Sequence, residues 1–270
     1  ERSRGLGDVY KRQDLREFKK TVDFAFTDFS RSYGADIESF FDPLLMFLVW
    51  FEKFFINTPW PLIVLGILIL AWIGSRSIPV VIGTFLSFML IGYFGMWEDT
   101  MSTLAIILVA TFLCISIGIP MGIAMARSNK VQALIVPILD VMQTIPSFVY
   151  LIPVVMLLGI GKVPGLIAVC IYAIPPIVRL TNLGIRLVDK DVLEAADSFG
   201  ANYWQKLFGV QMPLALPTIF AGVNQTIMMA LAMVVIASMI GVKGLGLPVL
   251  RAISNQYLSL IHISEPTRPL

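Results

Sequence analysis

Charge is what this chain has least of: 14% of its 270 residues are Asp, Glu, Lys or Arg, against about 25% in soluble domains. Histidine occurs once, at His262, and cysteine twice, at Cys114 and Cys170, each cysteine inside an apolar run and without a CxxC partner. This scarcity speaks against a metal cluster or a disulfide framework, and nothing resembles a nucleophile, base and orienting group. A phosphate-cradling Gly-x-x-x-x-Gly-Lys-Ser/Thr loop is missing too. The nearest fragment, Gly159-Ile160-Gly161-Lys162, lacks both the spacing and the following hydroxyl, so the chain cannot itself be a P-loop ATPase. The net charge of +2 is small and the basic residues are dispersed, which argues against a nucleic-acid partner. The first residues are charged rather than apolar, so no cleavable signal peptide is visible.

Apolar residues fill the space that charge leaves. They make up 57% of the chain and give a mean hydropathy of +0.83, the profile of a multi-pass membrane protein. Residues 1–13 (ERSRGLGDVYKRQ) and 259–270 (LIHISEPTRPL after Ser259) lack apolar periodicity and resemble translated adapter sequence. They are read as non-native, His262 included, so the chain is expected to be cut short at both ends. Residues 14–57 mix phenylalanines with charges and are expected to lie amphipathically in the membrane interface. Residues 58–98 read as two accessory spans, 60–74 flanked by Trp60 and Trp72 in the manner of an aromatic belt, and 78–97.

The transmembrane core is placed at 99–258. Its first span, 101–126, carries Gly118-x-x-x-Gly122 around Pro120; this spacing allows a close helix approach, and a kink at the proline is compatible with it. Residues 131–158 are broken by Pro137, Pro146 and Pro153. Broken backbone survives at membrane depth only where protein or water satisfies it, so this segment is the candidate pore-lining element. Spans at 163–187, kinked at Pro175-Pro176, and at 216–240 complete the core, and Gly244, Gly246 and Pro248 mark a turn before Arg251. Arg76, the Arg127–Lys130 turn and the stretch from Arg186 to Lys206 fall on alternate turns, which puts them on the cytoplasmic side by the positive-inside rule. Lys162 and Lys243 are isolated exceptions on the other.

One polar island, 189–217, interrupts the apolar runs. Asp191 with Glu194, and Asn202 with Gln205, have capping-box spacing, and Gly200 sits between them where a helix would stop in a left-handed turn. The reading is a helix, a glycine turn and a second helix ending at Pro213 and Pro217. Glu194-Ala195-Ala196, then Gly200 after three residues, then Val210-Gln211-Met212-Pro213 after nine more, resembles the Glu-Ala-Ala loop of binding-protein-dependent ABC transporter permeases. Val210 and Met212 stand where the family pattern has Ile and Leu. The resemblance implies that Glu194, Ala195, Ala196, Gly200 and Pro213 dock a cytoplasmic ATPase and pass its movement to the membrane helices.

From Gly83 to about Gly246 the chain is similar to permeases of the glycine betaine/proline type, on the stretches 92–98, 140–150, 172–181 and 224–233. The resemblance implies an all-α polytopic membrane protein with the methionine-importer-like ABC permease helical bundle, here truncated before its last helix. It also implies import of a glycine betaine/proline-type osmoprotectant across a bacterial or archaeal inner membrane, with choline, carnitine, proline or an amino acid as the alternative solute on the same fold. The implied partners are an extracytoplasmic binding protein, a second permease copy and two ATPase subunits. ATP and Mg would sit on the ATPase, and no cofactor is expected in this chain.

For the path itself, ionisable residues at membrane depth are costly and usually face protein or water. Asp140, with Gln143 and Ser147 near it and Arg179 on the next span as its partner, is the candidate lining; a carboxylate reaching to headgroups is the alternative. Asn224 and Gln225 line the path or pack between helices. Trp97, Tyr150 and Tyr172 read as belt or packing residues. An ion-coupled carrier would be expected to show intramembrane carboxylates and an internal repeat of broken helices, and a scaffold or osmosensor would leave the Glu194 loop without a purpose.

Overall fold

A computed structural model describes residues 2–254, and His262 and the 259–270 tail lie outside them. The described residues form helices and connecting turns: α1 (Arg2–Asn57), α2 (Trp60–Ser75), α3 (Ile78–Tyr93), α4 (Trp97–Arg127), α5 (Asn129–Thr144), α6 (Ser147–Leu158), α7 (Lys162–Arg186), α8 (Lys190–Ser198), α9 (Tyr203–Lys206), α10 (Met212–Ala237) and α11 (Gly246–Ser254). Three stretches, Trp97–Arg127, Lys162–Arg186 and Tyr203–Ile240, are long and apolar enough to cross a membrane, or five if two bent pairs each count as one span.

The core is the α4–α7–α10 triad. Ile106, Ala110 and Cys114 of α4, Leu166, Val169 and Ile177 of α7, and Ala230, Met233 and Val234 of α10 are buried together. Small residues make this closeness possible. A Cβ on Gly122 would stand 2.5 Å from Thr181 Cβ and 2.8 Å from the Val178 carbonyl, and one on Gly222 3.3 Å from Ile177 Cα. The Gly118/Gly122 stripe is therefore a helix–helix seam. The two cysteines, without partners in the sequence pattern, face one another across the same interface. Cys114 Sγ lies 3.7 Å from the Cys170 carbonyl, and Cys170 Sγ 3.9 Å from that of Ala110.

Helix α1 joins the core, and two expectations about the later elements need correction. Helix α1 runs unbroken from Arg2 through the segment set aside as foreign and past Pro43. Its second half packs on α4, α6 and α7 with Leu48 wholly buried, and it meets α2 at a bend of 103°. The second accessory span is shorter than expected. Helix α3 stops at Tyr93 because Gly95 takes φ +68. The N–H groups of Gly95 and Met96 then reach back to the carbonyls of Gly92 and Ile91, a Schellman closure, and Trp97 begins a new helix. Finally, the turn expected at Gly244, Gly246 and Pro248 is shorter: Gly244 takes φ +152, while Gly246 and Pro248 already belong to α11. Of the three prolines in 131–158 only Pro146 stands at a break, the 93° bend between α5 and α6; Pro137 and Pro153 lie inside α5 and α6.

Candidate functional site

The polar island forms the helix–turn–helix that its spacing predicts, with one cap shifted. Asp189, not Asp191, caps α8, its carboxylate accepting the Asp191 N–H at 3.0 Å. Asp191 already lies in the first turn, where it cannot act as an extended capping residue, so the Asp191–Glu194 box does not form. At the other end Gly200 sits at φ +74. Its N–H donates to the Asp197 carbonyl at 2.9 Å and that of Ala201 to Ala196 at 3.1 Å, which completes a Schellman motif. Asn202 and Gln205 form the full capping box, at 2.9 and 2.8 Å. Lys206 Nζ then donates to both oxygens of Asp197, at 2.6 and 2.8 Å, and so braces α9 against α8.

Outward, Glu194 and Ala195 are exposed and Ala196 half-buried. Phe199 is 92% exposed, while Trp204 stacks on Phe208 at 5.8 Å between ring centres, both rings largely exposed. The second helix does not end at Pro213. It continues through a π-helical segment, Leu207–Gln211, into α10, the Met212 N–H reaching back five residues to the Leu207 carbonyl. The wider turn carries the chain up to Pro213, which has no N–H to place in a regular ladder.

The loop lies at the same end of the bundle as the basic ends of α4 and α7. Arg127 places its guanidinium carbon 4.0 Å from the centre of the Tyr203 ring and 5.8 Å from that of Trp204, within cation–π range. Arg186 donates to the Met125 carbonyl at 2.8 Å and to Asn182 Oδ1 at 2.9 Å. Arg127 and Arg186 thus gather with the loop at one end.

Of the residues expected at membrane depth, the structure pairs two: Arg179 of α7 donates to Asp140 of α5. Arg179 Nε is buried with no hydrogen-bond partner. Gln143 and Ser147 are half-buried near the α5–α6 bend, and Asn224 and Gln225 are exposed on α10. None of these four makes a side-chain hydrogen bond to the Asp140–Arg179 pair. Trp97 packs edge-on against Phe88 at 6.2 Å, beside a cleft of about 670 Å³ that Trp60 and Tyr93 also line; Tyr150 and Tyr172 pack against the main core.

Sequence reasoning missed a charged cluster at the opposite end. Glu52 of α1, only 6% exposed, accepts from Lys162 at the start of α7 and from Ser102 Oγ of α4 at 2.8 Å. One helical position away, Thr103 Oγ1 accepts the Leu245 N–H at 2.8 Å. The available signals were a carboxylate inside an aromatic stretch and a lone Lys162, and each needs the other to be interpretable. Buried charges are tolerated when paired, which is how this part of α1 joins the core.

Residues 118–264 match the family described as the binding-protein-dependent transport system inner membrane component. The chain belongs to that family. The match begins at Gly118, inside α4, and takes in α5 to α11 with the whole Glu194 loop. Among curated relatives of this permease, the glycine betaine/proline betaine transport system permease protein ProW of Escherichia coli is 50% identical over 218 residues, 81% of this chain and 61% of that protein. The glycine betaine/carnitine transport permease protein GbuB of Listeria monocytogenes is 48% identical over 199 residues, 73% of this chain and 71% of its own length. The chain thus spans about three-fifths of the Escherichia coli relative. A solved chain of the MetNI methionine ABC transporter, in an inward-facing conformation, superposes with a TM-score of 0.53 at 21% identity. It covers 59% of this chain and 81% of that one, which shows the shared permease fold.

Proposed function

We propose that the chain is the membrane-spanning permease subunit of an ATP-driven importer of glycine betaine-type osmoprotectants. The observation that carries this reading is the family's loop presented as a braced, outward-facing helix–turn–helix, in a chain half identical to a glycine betaine/proline betaine permease. A cytoplasmic ATPase subunit docks on Glu194, Ala195, Ala196 and Gly200, with Pro213 where the loop re-enters the bundle. ATP and Mg are held by that ATPase, an extracytoplasmic binding protein delivers the solute, and two permease copies complete the channel. The test is uptake of labelled glycine betaine into vesicles holding the full-length permease with its ATPase and binding protein. ATP-dependent uptake competed by proline betaine, and abolished by Glu194→Arg together with ATPase docking, is the expected result. Hydrolysis stimulated by the binding protein without betaine entry would remove the substrate assignment.

The path residues belong to the same proposal. The Asp140–Arg179 pair joins the broken α5–α6 segment to α7, and Gln143, Ser147, Asn224 and Gln225 add polar groups for a hydrated passage between permease copies. Neutralising one partner leaves the other charge uncompensated at membrane depth. Both side chains are part-exposed in the single chain, so Asp140→Asn is expected to lower uptake rather than abolish it, and Asp140→Asn/Arg179→Gln to recover part of the loss. Normal uptake by Asp140→Asn would rule out a role for the pair in transport.

A further inference from the structure

We infer that Arg127 is a positioning residue that carries movement of the docking loop to the α4–α5 elbow, and through it to the Asp140–Arg179 pair. The inference rests on the loop's reading as the ATPase contact. Its starting point is that the loop has one stiff body and attachments of different stiffness. Within the body, the Schellman closure, the Asn202–Gln205 box and the Lys206–Asp197 bridge cross-brace α8 and α9, so a push on one is shared by both.

The covalent exit towards α10 is the compliant attachment. It passes through the π-helical Leu207–Gln211, which includes Gly209, and then Pro213. Segments of this kind lack the regular four-residue ladder, and they are where helices bend. A bend at this segment lets the loop and α10 move separately, even though Leu207 itself is held in the core.

The contact with α4 is of another kind. Arg127 is the last residue of a 31-residue helix, and its guanidinium covers Tyr203 at 4.0 Å and reaches Trp204 at 5.8 Å. Both rings belong to α9, inside the braced body. Behind Arg127, α4 is held to α7 by the Gly118 and Gly122 seam and by the Arg186 bond to the Met125 carbonyl. Ahead of it lies a one-residue elbow. Ser128 is extended at φ −136 and ψ 119, and its side chain accepts the Val131 N–H to start α5. Near the far end of α5 stands Asp140, bound to Arg179. A loop that shifts therefore drags Arg127, turns the elbow and changes the load on the α5–α7 ion pair.

Arg127 also counts as a topology-setting positive charge, and the two roles predict different variants. A topology charge is restored by any cation and does not involve Tyr203. A stacked guanidinium is only partly replaced by lysine, whose ammonium lacks the plane, and its loss is mimicked by removing the ring. The experiment reconstitutes the full-length permease with its ATPase and binding protein. It reads the stimulation of ATP hydrolysis by glycine betaine-loaded binding protein, as a ratio to each variant's own basal rate. Arg127→Ala and Tyr203→Leu are each expected to keep the ATPase bound while the stimulation ratio falls about fivefold or more. Tyr203→Phe keeps the ratio, Arg127→Lys lies between, and Arg127→Ala/Tyr203→Leu is no worse than either single change.

A normal ratio for Arg127→Ala, a normal ratio for Tyr203→Leu beside a defective Arg127→Ala, or additive losses in the double variant would each overturn the inference. Should Arg127→Ala fail to assemble, Tyr203→Leu and Tyr203→Phe decide alone, since neither alters charge. Glu194→Arg separates this inference from the reading beneath it. If Glu194→Arg leaves docking and stimulation intact, the loop is not the ATPase contact; if it abolishes docking while Arg127→Ala is neutral, only the relay is wrong.

Discussion

Gly200→Val is expected to uncouple transport from ATP hydrolysis while leaving the membrane helices folded. Gly200 holds φ +74, and a Cβ placed on it meets nothing within 4 Å. Any damage from substitution therefore comes from the backbone, not from crowding. A left-handed backbone costs an ordinary L-residue roughly 1–2 kcal/mol, Asn tolerates it better, and a β-branched side chain resists it most. If the chain escapes that cost by rotating out of the left-handed region, the Gly200 and Ala201 bonds to Asp197 and Ala196 are lost and α9 swings away from α8. A shift of about 1–2 kcal/mol lowers the docking-competent population about 5–30-fold.

The graded series is the informative measurement. Gly200→Asn should retain most coupled uptake, Gly200→Ala less and Gly200→Val little, with thermal stability of the detergent-solubilised permease nearly constant because the loop is exposed. Equal uptake for Asn and Val would show that the left-handed turn does not matter for docking.

What the sequence reveals about this molecule follows the range over which each signal acts. The cores of the spans are legible because a run of apolar residues between charged or Pro/Gly breaks is a local pattern. The structure ends the helices at Ser75, Arg127 and Arg186, within a residue or so of where those runs stop. The Gly200 turn and the Asn202–Gln205 box are legible for the same reason, since capping chemistry is confined to a few residues. Local ambiguity explains the misplaced cap: Asp189 and Asp191 flank one lysine, and either could end the extended stretch.

The contacts between distant helices are a different matter. Glu52 and Lys162 lie 110 residues apart, and each alone looks like a stray charge. Arg127 reads as a topology signal because nothing near it in sequence announces Tyr203 or Trp204 as its partner. Asp140 and Arg179 could be matched because each is a rare charge in an adjacent apolar span. Rarity, more than spacing, made that pair legible. The π segment before Pro213 is set by how backbone groups are shared around a proline, which side-chain patterning does not encode.

The seam between α4 and α7 gives the largest expected effect on stability. Gly122→Leu should prevent a folded core from forming, because the obstacle is backbone. The new Cβ alone would stand 2.8 Å from the Val178 carbonyl and 2.5 Å from Thr181 Cβ, and Thr181 and Val178 are fully buried. Neither can yield unless the two helices separate. At Gly118 the obstructing atom is the Cγ2 methyl of Ile177 at 2.4 Å, fully buried and stiff at χ1, but a side-chain atom rather than a backbone carbonyl. Overpacking a core typically costs about 1–3 kcal/mol and occasionally more, and a whole leucine against a carbonyl belongs at or above the upper end. The expected order of thermal stability in detergent is wild type, Gly118→Ala, Gly122→Ala, then Gly122→Leu, which should not be recovered as a monodisperse protein. Gly83→Ala is the control, since its Cβ would meet nothing within 4 Å in α3 and alanine favours a helix over glycine by about 1 kcal/mol. A Gly122→Leu protein that melts with wild type would mean that α4 and α7 do not approach along this stripe, and the support behind Arg127 would have to be sought elsewhere.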